Sequence, residues 1–443
     1  MTDPMDAPRS IEQLNPDVPS TPTHRVLLAF ILAAACCLRL WHLNWDLPRV
    51  YEEAYPFGVA WKFWNWGHPG CDFNPHVFNY AALSFYIQFF VQLVHYGIGH
   101  LAGAYPTIEA YRLAYQSDPT LFFLLARGVS VVFDLGSIVL TYFIARRLTT
   151  PSIALCSSAL LAMNPLHIRE AHLVNVDTPL TFFVMLSLYV IVCRLYSTPS
   201  AKWYMLAGVS IGCAAATKYT GAVLLPILIL AHCLRWQSIR EALRSLRSPH
   251  LIISIALSGF VFILLNPYIL LSFREFKERF SFIYFNVIEY GHLGVVSSES
   301  TLGFYLTKTL PASLGLPFAI VAAMSICYLI ARRKREHLLL IVLPLLYLSI
   351  AATWAYRADR YILPLLPLLS IIGCLGLESA WGFLSRRLPE LLPSSGGYFN
   401  TAKAAIALVV GVTILAPITS EVYRYQRTHE RPDTRTVAQE WIA

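Results

Sequence analysis

The chain has 443 residues, of which 56% are hydrophobic and only 14% charged, and its mean hydropathy is +0.54. A soluble domain carries about 25% charged residues, and long apolar runs recur along the whole length, so this is an integral membrane protein. The runs are continuous rather than alternating, which selects helices over a closed barrel, and the net charge of +8 sits in the links between them, where it sets orientation rather than nucleic-acid binding.

Residues 1–25 form a polar, proline-containing tail without a signal-peptide cleavage pattern, expected in the cytoplasm. A span takes roughly 20 apolar residues, with a range of about 17 to 25. Clear candidates are 26–44, 121–147, 178–196, 251–270, 312–331, 337–353, 361–380 and 401–418. Segment 152–166 is a shorter candidate. Segment 203–236 is too long for one span and is interrupted by "ATKYTG", so it reads as two helices turning at 217–220.

The apolar stretch 79–103 is placed by charge. The basic links are Arg146-Arg147, Arg194 to Lys202, Arg235 to Arg247, "RRKRE" at 332–336 and Arg386-Arg387. They fall on the cytoplasmic side together only if 79–103 does not cross the membrane. The expected fold is therefore all-α, with about eleven transmembrane helices and with interfacial or re-entrant helices in a long first outer loop, 45–120. The transmembrane domain covers 26–420, and 421–443 is a short outer tail. Outer segments are 45–120, 166–177, 217–220, 272–311 and 354–360. The nine cysteines lie mostly in or beside apolar runs and form no disulfide framework.

These outer segments hold the polar residues that packing does not explain. "VYEEAYPFGVAWKFW" has apolar residues at helical spacing, and Trp61, Trp64 and Trp66 suit the headgroup level. Glu52 and Glu53 are either a solvated pair at a helix start or a general base whose pKa an apolar surround raises. "NPLHIREAHLVNVDTPL" places His167, Arg169, Glu170, His172 and Asp177 in one short link. Asp177 before Thr178-Pro179 is an N-cap or an active carboxylate. A metal site from His167, His172 and Asp177 matches no strong zinc spacing.

Lys218, between two apolar helices, either snorkels to the interface or binds a phosphate. Arg357 and Arg360, read as one helical turn apart in "WAYRADRYILPLLPLL", suit bidentate phosphate recognition or pair with Asp359. Arg127 and Asp134 share a face of their span and are expected to face the bundle, Asp134 as a structural residue. Walker, G-x-S-x-G and HExxH sequences are absent, which argues against an ATP-driven pump and the common hydrolases.

The order of motifs resembles the GT-C glycosyltransferases, in the branch of the protein O-mannosyltransferases and aminoarabinose transferases. The resemblance rests on "YEEA", "FNPHVFNYAALSFYIQFF", "LLARGVSVVFDLGSIVLTYFIARRL", "LAMNPLHIREAHLVNVDTPLTFF", "LAGVSIGCAAATKYTGAVLLP" and "RYILPLLPLL" in that order. Many members carry Asp-Glu where this chain has Glu52-Glu53.

The resemblance implies a hexose such as mannose, moved from a polyprenyl-phosphate carrier to an acceptor (protein, lipid or glycan) on the outer face of the plasma membrane. It implies Glu52 or Glu53 and Asp177 as catalytic acids, and Lys218, Arg357 and Arg360 as holders of the lipid phosphate. Asn79, Tyr80, His172, Tyr219 and Arg127 complete the candidate substrate contacts. No cofactor is required by the sequence, and a divalent cation stays open because related enzymes differ. The other classes compatible with the sequence are a transporter or flippase of lipid-linked sugars and a non-catalytic lipid-binding relative.

Overall fold

A computed structural model describes residues 21–48, 54–285, 300–391, 396–432 and 434–442. Glu52 and Glu53 lie outside the described residues. Among the described residues all regular secondary structure is helical. Helix α1 spans Pro22–Leu40. The first loop then folds into three helices, α2 (Tyr55–Lys62), α3 (Leu83–Leu101) and α4 (Ile108–Ser117). Next come α5 (Thr120–Leu148), α6 (Pro151–Ala162), α7 (Pro165–Ala171) and α8 (Asp177–Leu188), which runs on as a π-helical turn over Tyr189–Leu195. Helices α9 (Ala201–Thr217), α10 (Leu224–Cys233), α11 (Ile239–Ser245) and α12 (Pro249–Leu264) follow.

After the short α13 (Tyr268–Leu271) comes α14 (Phe273–Tyr284). The short α15 (Thr301–Phe304) and α16 (Leu310–Leu314) lead into α17 (Leu316–Arg332), and α18 (Arg335–Ala351) follows. A 3-10 helix over Asp359–Leu365 opens α19 (Leu366–Leu391), and α20 (Gly396–Thr428) and α21 (Thr434–Ile442) end the chain.

Among the described residues five helices are long and apolar enough to cross a membrane, or eight if each of three bent pairs counts as one span. The other expected spans are shorter: α9 and α18 have 17 residues each, at the lower edge of the spanning range, and α10 follows a 3-10 turn at Tyr219–Val223. The sharpest bend, 115°, separates 301–314 from α17. Gly315 occupies it with φ +71°, a conformation that favours glycine.

Helices α9 and α12 approach closely. A Cβ on Gly208 would stand 2.4 Å from the Ser254 carbonyl oxygen, and one on Gly212 would stand 2.8 Å from that of Ser258. This is the small-xxx-small packing that lets membrane helices touch backbone to backbone. A buried polar triad joins α1, α5 and α7: Arg39 pairs with Asp134, whose other oxygen meets His167 Nδ1 at 2.6 Å. Asp134 is thus buried and partnered inside the bundle, where a charged residue in a span is expected to face.

The first loop has its own core. Phe57, Phe63, Trp64, Phe85, Phe89 and Tyr111 are buried in a cluster separate from that of the bundle. Trp61, Trp64 and Trp66 pack on this core, Trp64 buried and Trp61 and Trp66 half-buried. Trp61 and Tyr115 rings lie 4.3 Å apart, and the Trp64 indole N–H donates to Gln92 at 3.0 Å. A half-buried ring packs one face and leaves an edge free, so this packing is compatible with the interfacial placement read from composition. Helix α3 has 19 residues but is not apolar enough to count among the membrane-crossing helices.

Candidate active site

All five segments expected on the outer face meet at one end of the bundle. Residues 72–80 of the first loop touch α14 and the 217–220 turn: His76 bonds Glu275 at 3.2 Å, and Tyr219 donates to the Phe78 carbonyl. Residues 169–177 touch 359–360, and Thr309 donates to Asp359 at 2.9 Å. Basic links contact one another elsewhere: Arg147 donates to Ser197, and Arg335 donates to the carbonyls of Leu234 and Trp236.

The centre of this end is Asp177. It does not cap its helix. That task falls to Asn175, whose side-chain oxygen accepts from the backbone N–H of Asp177 at 3.0 Å and of Thr178 at 2.9 Å. The Asn175 amide also donates to the Glu170 carbonyl and carboxylate, at 2.9 and 3.1 Å. With its backbone held, the Asp177 carboxylate faces two cations. Lys218 donates to Oδ1 at 2.6 Å, and Arg360 Nε lies 3.5 Å from Oδ2.

Lys218 reaches Asp177 because the helix breaks there. Its backbone is extended, φ −153° and ψ 134°, between α9 and the following 3-10 turn. Its ammonium lies 4.2 Å from the Tyr361 ring centre and 5.8 Å from that of Tyr80, so two aromatic faces add cation–π attraction. Lys218 is 6% exposed and therefore does not snorkel to water. Arg357 precedes the 3-10 helix and Arg360 lies in its first turn, so the two do not share a helix face; the Arg357 guanidinium is 5.5 Å from the Phe304 ring. A second layer surrounds the first. Arg169 pairs with Glu170 and Asp359, and Tyr347 and Thr220 hydroxyls stand 3.5 Å apart.

Other sequence candidates sit elsewhere. Asn79 accepts from Tyr55 at 2.9 Å, which ties the start of α2 to the loop carrying Tyr80. Arg127 donates to the Leu43 and Trp45 carbonyls and pairs with Asp46 at 2.6 Å, so its polar atoms hold the loop after α1. His172 bonds the Tyr425 hydroxyl at 3.0 Å. Burial first, then His429, Arg127 and Arg39, pulls its imidazole down to about 3, which keeps it neutral. His167, His172 and Asp177 thus point to three different partners. Among the described residues no group of three or more His, Cys, Asp or Glu side chains is arranged to hold a metal ion. Sequence reasoning passed over Asn175 and Tyr347. Asn175 carried a signal, an Asn two residues before an Asp-Thr-Pro helix start. Tyr347, in an apolar run, carried none.

The family described as dolichyl-phosphate-mannose-protein mannosyltransferase matches residues 29–280. The chain belongs to that family. The match includes Asp177 and Lys218, and the mannosyltransferase family's GT-C fold recurs in solved structures. Archaeal oligosaccharyltransferase AglB from Archaeoglobus fulgidus, in complex with an inhibitory peptide and a dolichol-phosphate, superposes with a TM-score of 0.59 at 13% identity, over 91% of this chain and 56% of that one. ArnT from Cupriavidus metallidurans, bound to undecaprenyl phosphate, superposes with a TM-score of 0.54 at 16% identity, over 93% and 76%. A curated relative, undecaprenyl phosphate-alpha-4-amino-4-deoxy-L-arabinose arabinosyl transferase 1 of Pseudomonas fluorescens (strain Pf0-1), is 29% identical over 305 residues, 65% of this chain and 49% of the relative. The chain spans about half the length of that relative.

Proposed function

We propose that this protein is a membrane glycosyltransferase that moves a hexose such as mannose from a polyprenyl-phosphate carrier to an acceptor on the outer face of the plasma membrane. The carrying observation is the convergence of Asp177, Lys218 and Arg360, from three distant segments, on one buried cluster beside Tyr80. In this reading Glu52 or Glu53 takes the proton from an acceptor hydroxyl as its oxygen attacks the anomeric carbon. The bond from that carbon to the phosphate oxygen breaks, and the lipid phosphate leaves with the electron pair. Arg360, with a side chain 37% exposed, meets the developing phosphate charge together with Arg357 and Lys218. Asp177 keeps the cations oriented, and a divalent cation remains compatible with this scheme.

Chain connectivity supports the assignment of the glutamates. Glu53 precedes Tyr55 by two residues, which reach at most about 7 Å. Tyr55 bonds Asn79, and its ring lies 6.0 Å from that of Tyr80. The family description favours mannose, and the Pseudomonas relative favours 4-amino-4-deoxy-arabinose as a second reading of the sugar. The test supplies purified protein in lipid with a panel of polyprenyl-phosphate hexoses and the aminoarabinose derivative, and follows release of the lipid phosphate by mass spectrometry. Release from one donor, lost in Glu52→Gln and Asp177→Asn, supports the proposal and names the sugar. No release from any donor, with carrier movement across vesicles, replaces it with a transporter.

A further inference from the structure

A second polar site lies at the far end of the helix that carries Lys218. Tyr204 and Lys218 are separated by fourteen residues of α9 and its cap, or about 20 Å along a helix. Around Tyr204 is a cavity of about 300 Å³, lined by His232, Arg235, Trp236, Arg244 and Arg247 among others. That volume is at the lower end of ligand-binding clefts, roughly 300–1,000 Å³.

The cavity has a built back wall. His232 Nε2 donates to the Ser245 carbonyl at 3.0 Å, which leaves Nδ1 to accept from the Tyr204 hydroxyl. Arg235 donates to that hydroxyl at 3.2 Å. These three groups satisfy one another. The front is unsatisfied: Arg244 and Arg247 are exposed and form no side-chain hydrogen bond or ion pair among the described residues, and the buried indole N–H of Trp236 has no acceptor. The lining acid, Glu241, is engaged at the start of α11, where its carboxylate accepts from the Ser238 N–H. Three arginines against one committed carboxylate, beside an indole donor without an acceptor, describe a receptor for an anion.

The neighbouring surface indicates where that anion comes from. Ile239 and Leu243, one turn apart on α11, are 81% and 61% exposed, and Ile252 and Ile253 expose an apolar side of α12 just beyond. A short helix with apolar residues facing outward and arginines beside a cavity sits at a membrane surface. We propose that this cavity holds a phosphate group, that of an anionic membrane lipid headgroup, with Arg244 and Arg247 as its counter-charges and Trp236 as a hydrogen-bond donor. A soluble phosphate offers the same chemistry and is the other source to be tested.

The experiment titrates the full chain in detergent with phosphatidylglycerol, with phosphatidylcholine and, separately, with inorganic phosphate, and reads bound ligand by native mass spectrometry. The variants are Arg244→Gln with Arg247→Gln, Trp236→Phe, and a charge-matched control, Arg240→Gln with Arg386→Gln, whose side chains are exposed and outside the cavity. Phosphatidylglycerol should bind in preference to phosphatidylcholine. Its affinity should fall about thirty-fold in the cavity pair and about five-fold in Trp236→Phe, and hold in the control. Saturable binding of inorganic phosphate that the cavity pair abolishes, without preference between the lipids, would keep the phosphate site and make its ligand soluble. Equal losses in the cavity pair and the control, or no binding of either phosphate source, overturns the proposal. The arginine variants should elute and melt as the parent does, because those side chains are on the surface, and Trp236→Phe should do so because it keeps an aromatic ring and removes only a donor without an acceptor.

Discussion

Lys218 and Asp177, forty-one residues apart, form an ion pair at 2.6 Å with side chains only 8% and 1% exposed. Removing one member of such a pair strands a buried charge. Asp177→Asn should lose about 3–5 kcal/mol of stability, and Lys218→Met less, because Arg360 still faces Asp177. The double variant should recover part of that loss, because it removes both charges. Thermal unfolding of the four proteins in detergent measures the coupling, and strictly additive losses would show that the pair does not act as a unit.

The acids of the proposed reaction should behave differently from this pair. Glu52→Gln or Glu53→Gln should lower transfer by about 100- to 10,000-fold, the usual contribution of a general base. The melting temperature should hold. Wild-type-like turnover in both variants removes the proposed base.

The turn behind Lys218 has no spare room. A Cβ on Gly221 would stand 2.3 Å from the backbone carbon of Ala214, whereas one on Gly58 meets nothing within 4 Å. Gly221→Ala should cost about 1–3 kcal/mol and shift Lys218 away from Asp177. Gly58→Ala should have little effect. Melting curves together with donor turnover distinguish the two positions.

A pH-sensitive clasp joins the first loop to α14. His76 Nε2 lies 3.0 Å from Asp72, and its Nδ1 lies 3.2 Å from Glu275. The hydrogen bond to Asp72, opposed by burial and helped by Glu275, raises the His76 pKa. The Asn74 N–H and then His76 lower that of Asp72. The His76 contribution is therefore fully present below its unfolded pKa of about 6.5 and is lost as pH rises through the raised folded value. The Asp72 contribution is present above its unfolded value of about 3.9 and is lost as pH falls through the lowered one. Hydrogen exchange in residues 273–284 should quicken between about pH 6 and pH 8 beyond the intrinsic rate, and His76→Gln should abolish that extra change.

The sequence by itself determined that the chain is helical, that it lies in a membrane and that its family is recognisable, because apolar run length and motif order are local properties. It also grouped the five polar links that meet at one end, because charge asymmetry between links is additive along the chain. Partner choice was decided only by the tertiary structure. Arg127 and Lys218 look alike in sequence, each a lone cation in or between apolar helices, yet one holds the loop at 43–46 and the other meets Asp177. Trp61, Trp64 and Trp66 suit the headgroup level in sequence, and only the fold supplied the rings of α3, α4 and α5 that pack on Trp61 and Trp64. A buried charge or ring takes its energy from whatever the fold brings within a few ångströms, and separations of forty to a hundred and eighty residues carry no local signal of that approach.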